Sequence, residues 1–180
     1  AEKMRVLIAI FITLFASISA SAQQITPELF GLKPYSIHSN EWGTINFYVS
    51  QKNIDQEKPL LIYLDGSGNL PLYTILKMPD GTTQTSSSVH SGFFTLADQF
   101  HFVLISKPGI PFVDSLSVES TRDYPQKYKP SGEYTERLSL DWRVNTASIV
   151  IDYLETILPI RNKEIIVVGD SEGGQVVPKL

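Results

Sequence analysis

IIVVGDSEGGQ, residues Ile165 to Gln175, runs from four consecutive β-branched residues into a serine set between glycines. A short, continuous apolar run of this kind predicts a strand buried on both faces of a parallel sheet. Gly169-Asp170-Ser171-Glu172-Gly173 then matches G-x-S-x-G, a tight strand-to-helix turn that presents a serine at the top of a sheet. The glycines have a steric reason. The serine backbone is strained and the neighbouring chain passes close by, so a Cβ two residues before or after would clash. Gly174 is placed to ease contact between helix and sheet. The helix is expected to begin near Ser171, which sets the backbone N–H of Glu172 beside the serine at a helix N-terminus. There it can stabilise the negative oxygen of a tetrahedral intermediate. Ser171 is therefore a candidate nucleophile. The competing reading is a glycine-rich turn that binds a phosphate or is purely structural.

The bare pattern arises by chance in roughly one chain in twenty of this length, given average glycine usage, so its surroundings decide. Upstream, Leu60 to Leu64 (LLIYL) and Phe102 to Ile105 (FVLI) are also short apolar runs bounded by turn residues. Both predict buried strands. Residues 141–158, DWRVNTASIVIDYLETIL, carry apolar side chains at Val144, Ala147, Ile151, Leu154 and Leu158. That spacing predicts an amphipathic helix, with Asp141 as its N-cap. Phe93 to Phe100 fits a short helix. Ile37 to Ser50 predicts two strands joined through Asn40 to Gly43, with Ile45, Phe47 and Val49 on one face of the second. Residues 23–35 read as a lead-in arm. Pro71 to Ser91 reads as a surface loop, and Pro111 to Leu140, with Tyr124, Tyr128 and Tyr134, as a long functional or mobile loop. Pro178 is expected to kink or end the last helix. Strands alternating with helices give an α/β class, a mostly parallel sheet flanked by helices.

The strand LLIYL ends in Asp65-Gly66-Ser67-Gly68, a sharp and flexible loop. A loop in this position can supply the second oxyanion N–H. Ser67 is the first candidate donor and Gly66 the next; the alternative is an ordinary turn. The three histidines, His38, His90 and His101, show no metal-ligand spacing, and the chain has no cysteine. Disulfides, thiolate zinc sites and cysteine nucleophiles are excluded, and neither a metal nor a cofactor is implied. His101 reads as a packed or edge histidine and Asp152 as a solvated charge. A net charge of −4 over 180 residues gives no footprint for nucleic acid.

From Met4 the chain reads MRVLIAIFITLFASISASAQQ. A basic start, an apolar stretch and an A-x-A end follow the plan of a secretory signal peptide, with cleavage expected after Ala22. Val6 to Ala16 is short for a membrane span, which needs roughly 20 apolar residues. Residues 1–22 are thus expected to be a signal peptide, counting three extra residues before Met4. Residues 23–180 form the mature chain, secreted or periplasmic, with no stable membrane span after cleavage.

These features together resemble the α/β-hydrolase family over Ile37 to Leu180. The likeness rests on the strand ending in DGSG, the strand FVLI ending in Lys107-Pro108-Gly109, the helix before the motif, and IIVVGDSEGG. The GDSEGG form is similar to that of secreted esterases, thioesterases and prolyl-oligopeptidase-type peptidases. The resemblance implies a serine hydrolase acting on a small-molecule or peptide acyl substrate. Ser171 would be the nucleophile, and Glu172 and Ser67, with Gly66, would form the oxyanion hole. It departs from the family at Asp65, where such hydrolases often have histidine, and in the order Ser, then acid, then His: no acid or histidine follows Glu172. The expectation is a partial α/β-hydrolase fold, an N-terminal part whose triad acid and histidine lie beyond residue 180, nearly inactive alone and with an exposed sheet edge. The other readings are a peptidase with the same machinery and a non-catalytic binding protein on a hydrolase scaffold.

Overall fold

The computed structural model describes residues 25–122 and 127–180. The segment read as a signal peptide and Tyr124 lie outside the described residues. Among the described residues, eight strands form two sheets. The main sheet contains β1 (Leu32–Ser39), β2 (Gly43–Ser50), β3 (Lys58–Leu64), β6 (His101–Ile105) and β8 (Ile160–Gly169), in the order β1-β2-β6-β3-β8. β1 and β2 form an antiparallel hairpin, β2 is antiparallel to β6, and β3 runs parallel to both β6 and β8. Every residue of β3 and β6 is buried, as their unbroken apolar runs require. The fold is mixed α/β, a five-stranded sheet flanked by helices, consistent with part of an α/β-hydrolase fold.

Among the described residues the helices include α1 (Gly132–Arg137), α2 (Leu140–Ile157) and α3 (Gly173–Val176), with 3-10 turns at Pro27–Phe30, Ser91–Asp98 and Val177–Lys179. Side chains alternate across β3. Leu60, Ile62 and Leu64 join Ala147, Val150 and Leu154 of α2 in one core layer. Leu61 and Tyr63 join Phe102, Phe93 and Phe112 in the other. After β3 the chain crosses to β6 on one side, then returns over α2 to β8 on the other. Strand order therefore reverses at β3, and the crevice outside the carboxyl ends of the strands at such a point is where open α/β sheets bind ligands. Leu64 pairs with Gly169 there, so the DGSG loop and the GDSEGG turn emerge side by side.

Several expectations need correction. The stretch 71–91 is not a surface loop. It holds β4 (Tyr73–Lys77) and β5 (Thr83–Ser87), which form an antiparallel hairpin, and β7 (Val113–Ser117) pairs parallel with β4 in a second sheet. β5 reads TQTSS and is mostly exposed, so its polarity concealed a strand. The lead-in arm contains a 3-10 turn and the first half of β1, where Pro34 is tolerated because β1 is an edge strand. The short helix expected over Phe93 to Phe100 is a 3-10 helix at Ser91–Asp98. The N-cap of α2 is Ser139, whose hydroxyl accepts from Trp142 N at 3.0 Å, not Asp141. The last helix starts at Gly173 and stops at Val176, two residues before Pro178.

Candidate active site

β8 ends at Gly169 and α3 begins at Gly173. Between them the Asp170 N–H donates to Leu64 O at 2.9 Å, fastening the turn to the end of β3. Ser171 has φ +49°, in the left-handed region where a side chain is strained. Gly173 N donates to Asp170 O at 2.7 Å and Gly174 N to Ser171 O at 3.0 Å, which closes the turn. The steric reason for the motif is visible. A Cβ on Gly169 would meet the backbone of Gly173 and Gly174, and one on Gly173 would meet the Leu64 carbonyl. Gly174 has ordinary room, with a Cβ standing 3.7 Å from Gly169 O, so close helix–sheet approach depends on Gly173 instead. Ser171 is exposed.

The DGSG loop meets this turn. A Cβ on Gly66 would stand 3.0 Å from Ser171 Cβ and 3.7 Å from its Oγ. Gly66 and Glu172 thus flank Ser171, and Ser67 lies exposed one residue further along the loop. Beneath them is a buried charge cluster that carried no signal in the sequence. Asp65 Oδ2 accepts from Lys107 Nζ at 2.8 Å, and Asp65 Oδ1 from Arg143 Nη2 at 3.1 Å. Arg143 Nη2 also donates to the Asp65 carbonyl. Arg143 Nη1 lies 3.7 Å from Glu172 Oε1. Asp65 is therefore the anion of a buried network rather than a bare turn residue.

Tyr63, near the end of β3, donates to Asp170 Oδ2 at 3.4 Å. Burial, then the Asp170 and Asp65 carboxylates, push its hydroxyl up to about 12. Burial and the charges of Glu172 and Asp65 likewise raise Tyr134, against the opposing effect of Arg143. Tyr63, His90, Phe93, Val168, Gly169 and Asp170 line a cavity of about 220 Å³ beside the turn. A larger cavity of about 310 Å³, between Lys77–Pro79 and Ser117–Glu119, lies on the second sheet and shares no lining residue with the turn. Of the histidines, His90 is on the wall of the smaller cavity. His38 is on edge strand β1. His101 is buried at the start of β6, its Nε2 3.3 Å from Pro159 O. Asp152 is exposed on α2. Among the described residues no helix is long and apolar enough to cross a membrane.

Fold and turn define a mixed α/β protein with a serine held in a strained strand-to-helix turn at the carboxyl end of its sheet. No family model matches the sequence, and no curated protein matches it. Among solved structures the chain is similar to a glucuronoyl esterase from Solibacter usitatus. The identity is 14% and the TM-score 0.40, over 81% of this chain and 42% of the esterase chain. The chain thus spans less than half the length of that structure.

Proposed function

We propose that this chain belongs to an exported serine hydrolase that cleaves an ester, thioester or amide bond through an acyl-enzyme on Ser171. The observation that carries the reading is the left-handed backbone of Ser171 in a turn whose flanking glycines leave no room for a Cβ, with Gly66 packed against the serine. Ser171 Oγ attacks the acyl carbon and passes its proton to a general base, as an isolated serine is a weak nucleophile. The carbonyl electrons move onto oxygen. The N–H groups of Glu172 and Ser67 donate to that oxyanion, with Gly66 shaping the loop. The intermediate collapses, the C–O, C–S or C–N bond breaks, and the leaving group departs with the proton. Water then attacks the acyl carbon and frees the acid and Ser171. The base would be a histidine oriented by an acid, as in other hydrolases of this type. The basic start, apolar run and A-x-A end at Met4 to Ala22 support export.

A fluorophosphonate probe tests this on the full-length protein. The probe is expected to label Ser171, and Ser171→Ala to abolish labelling and lower ester turnover by at least about 10⁴-fold. A folded protein that the probe leaves unmarked would instead be a binding protein on this scaffold.

A further inference from the structure

Lys107 is 6% exposed, and its ammonium makes three contacts with one short loop. Nζ donates to Asp65 Oδ2 at 2.8 Å, to Gly66 O at 2.7 Å and to Gly68 O at 2.8 Å. Tyr134 Oη adds a donor to Gly68 O at 3.1 Å. An ammonium has three N–H donors, and all three serve the loop. The bond to Asp65 balances charge. The two carbonyl bonds do something else.

A peptide group is planar, and no cis bond occurs among the described residues. In a trans peptide the carbonyl and the next N–H point in opposite directions. Holding Gly66 O against Nζ therefore turns the Ser67 N–H away from Lys107, and holding Gly68 O does the same to the Asn69 N–H. Glycine on both sides of Ser67, with Gly68 at φ +121°, would otherwise let these peptide planes rotate at little cost. Gly66 also lies close enough to Ser171 that a Cβ on it would stand 3.0 Å from the serine Cβ.

We infer that Lys107 is a positioning residue: it locks the Gly66–Ser67 peptide plane so that the Ser67 N–H stands ready as an oxyanion donor for an acyl group on Ser171. This rests on the reading of Ser171 as nucleophile. Arg143 completes the frame. It holds the Asp65 carbonyl and carboxylate at the start of the loop, and its other nitrogen faces the side chain of Glu172 on the far side of Ser171.

Lys107→Met keeps an unbranched side chain, one atom shorter, and removes its donors. The full-length variant is compared with wild type on a 4-nitrophenyl ester and on the matching thionoester, in which C=S replaces C=O. N–H donors stabilise an oxyanion more than a sulfur anion, so the oxygen-to-sulfur rate ratio reports the hole itself. The expected result is a fall of about 10²–10³-fold in kcat on the ester, as for loss of one oxyanion donor. KM should move little, the thionoester should lose much less, and the ratio should narrow. Ser67→Pro, which deletes the N–H directly, should narrow it equally, and the double variant should be no worse than either single one. Equal losses on both substrates, or additive losses in the double variant, would make Lys107 a structural cation only. If Lys107→Met does not fold, Lys107→Met with Asp65→Asn removes the two charges together and is read by the same ratio. Fluorophosphonate labelling separates the two claims. A wild-type protein without labelling sinks the nucleophile and this inference together; a labelled Ser171 with equal losses sinks this inference alone.

Discussion

Gly173 and Gly174 are adjacent in one short helix, yet the structure gives them opposite demands. A Cβ at Gly173 would drive into the Leu64 carbonyl, whereas at Gly174 it meets nothing closer than 3.7 Å. Alanine gains about 1 kcal/mol over glycine from helix propensity at either site. At Gly173 the clash is with main chain of the central strand, which cannot swing aside, so strain of about 1–3 kcal/mol or more outweighs the gain. Gly173→Ala is therefore expected to lower the urea midpoint and to slow labelling of Ser171, while Gly174→Ala leaves the midpoint unchanged or raises it. A Gly173→Ala protein as stable as wild type would contradict the close approach. The turn itself is legible in the sequence because Gly169, Ser171 and Gly173 lie within five residues of chain, although the strand that Gly173 meets is more than a hundred residues away. The charge cluster below is not legible. Asp65 is 42 residues from Lys107 and 78 from Arg143, and a cation inside a helical pattern gives no sign of whether it is buried.

The same contrast holds for whole elements. β3, β6 and α2 announce themselves through apolar runs or a helical period, since each buries a continuous face. The run Ile165 to Val168 of β8, read as buried on both faces, is only half-buried, because β8 stands at the edge of the main sheet. β5 is polar along its length, and β4 pairs in parallel with β7 across a long connection, so the second sheet has no local signature. Boundaries are set by single hydrogen bonds. The helical spacing puts the N-cap of α2 at Asp141. The structure gives the cap to Ser139, whose Oγ accepts from Trp142 N, and leaves Asp141 in the first turn, where its charge meets the helix dipole. Ser139→Ala should therefore cost about 1 kcal/mol of stability. Asp141→Ala loses only a dipole interaction of about 0.3–1 kcal/mol at a surface position, and less in salt. Denaturation of the two variants at low and high salt distinguishes them: only the Asp141 loss should shrink as salt is added.

Across the whole molecule the two ends of the main sheet carry different loads. The carboxyl end holds the strained serine, the clamped loop and the exposed carboxylates. The opposite end is built for stability, and His101 is its pH-sensitive element. His101 opens β6 opposite Leu60 of β3, fully buried, with Nε2 against Pro159 O where the chain leaves α2 for β8. Burial lowers its pKa below 6.5, and the Lys58 charge lowers it further, against the raising effect of the Pro159 carbonyl. Lys58 is itself buried, its Nζ donating to Lys52 O and Ala97 O. The sign follows from proton counting. Below pH 6.5 the unfolded chain protonates this imidazole before the folded chain does, so the unfolded state binds more protons. Stability is complete above pH 6.5 and declines as pH falls towards the folded pKa, with a slope of up to about 1.4 kcal/mol per pH unit for one proton. His101→Gln keeps a polar group near Pro159 O and cannot titrate. It should flatten the stability profile between pH 6.5 and 5, above the range where carboxylates titrate, even if it lowers the plateau. Urea unfolding of both proteins at closely spaced pH values measures the two slopes. Parallel profiles would mean that the acid loss originates elsewhere. Because His101 lies at the end of the sheet away from Ser171, the rate of Ser171 labelling in folded protein should be the same in both.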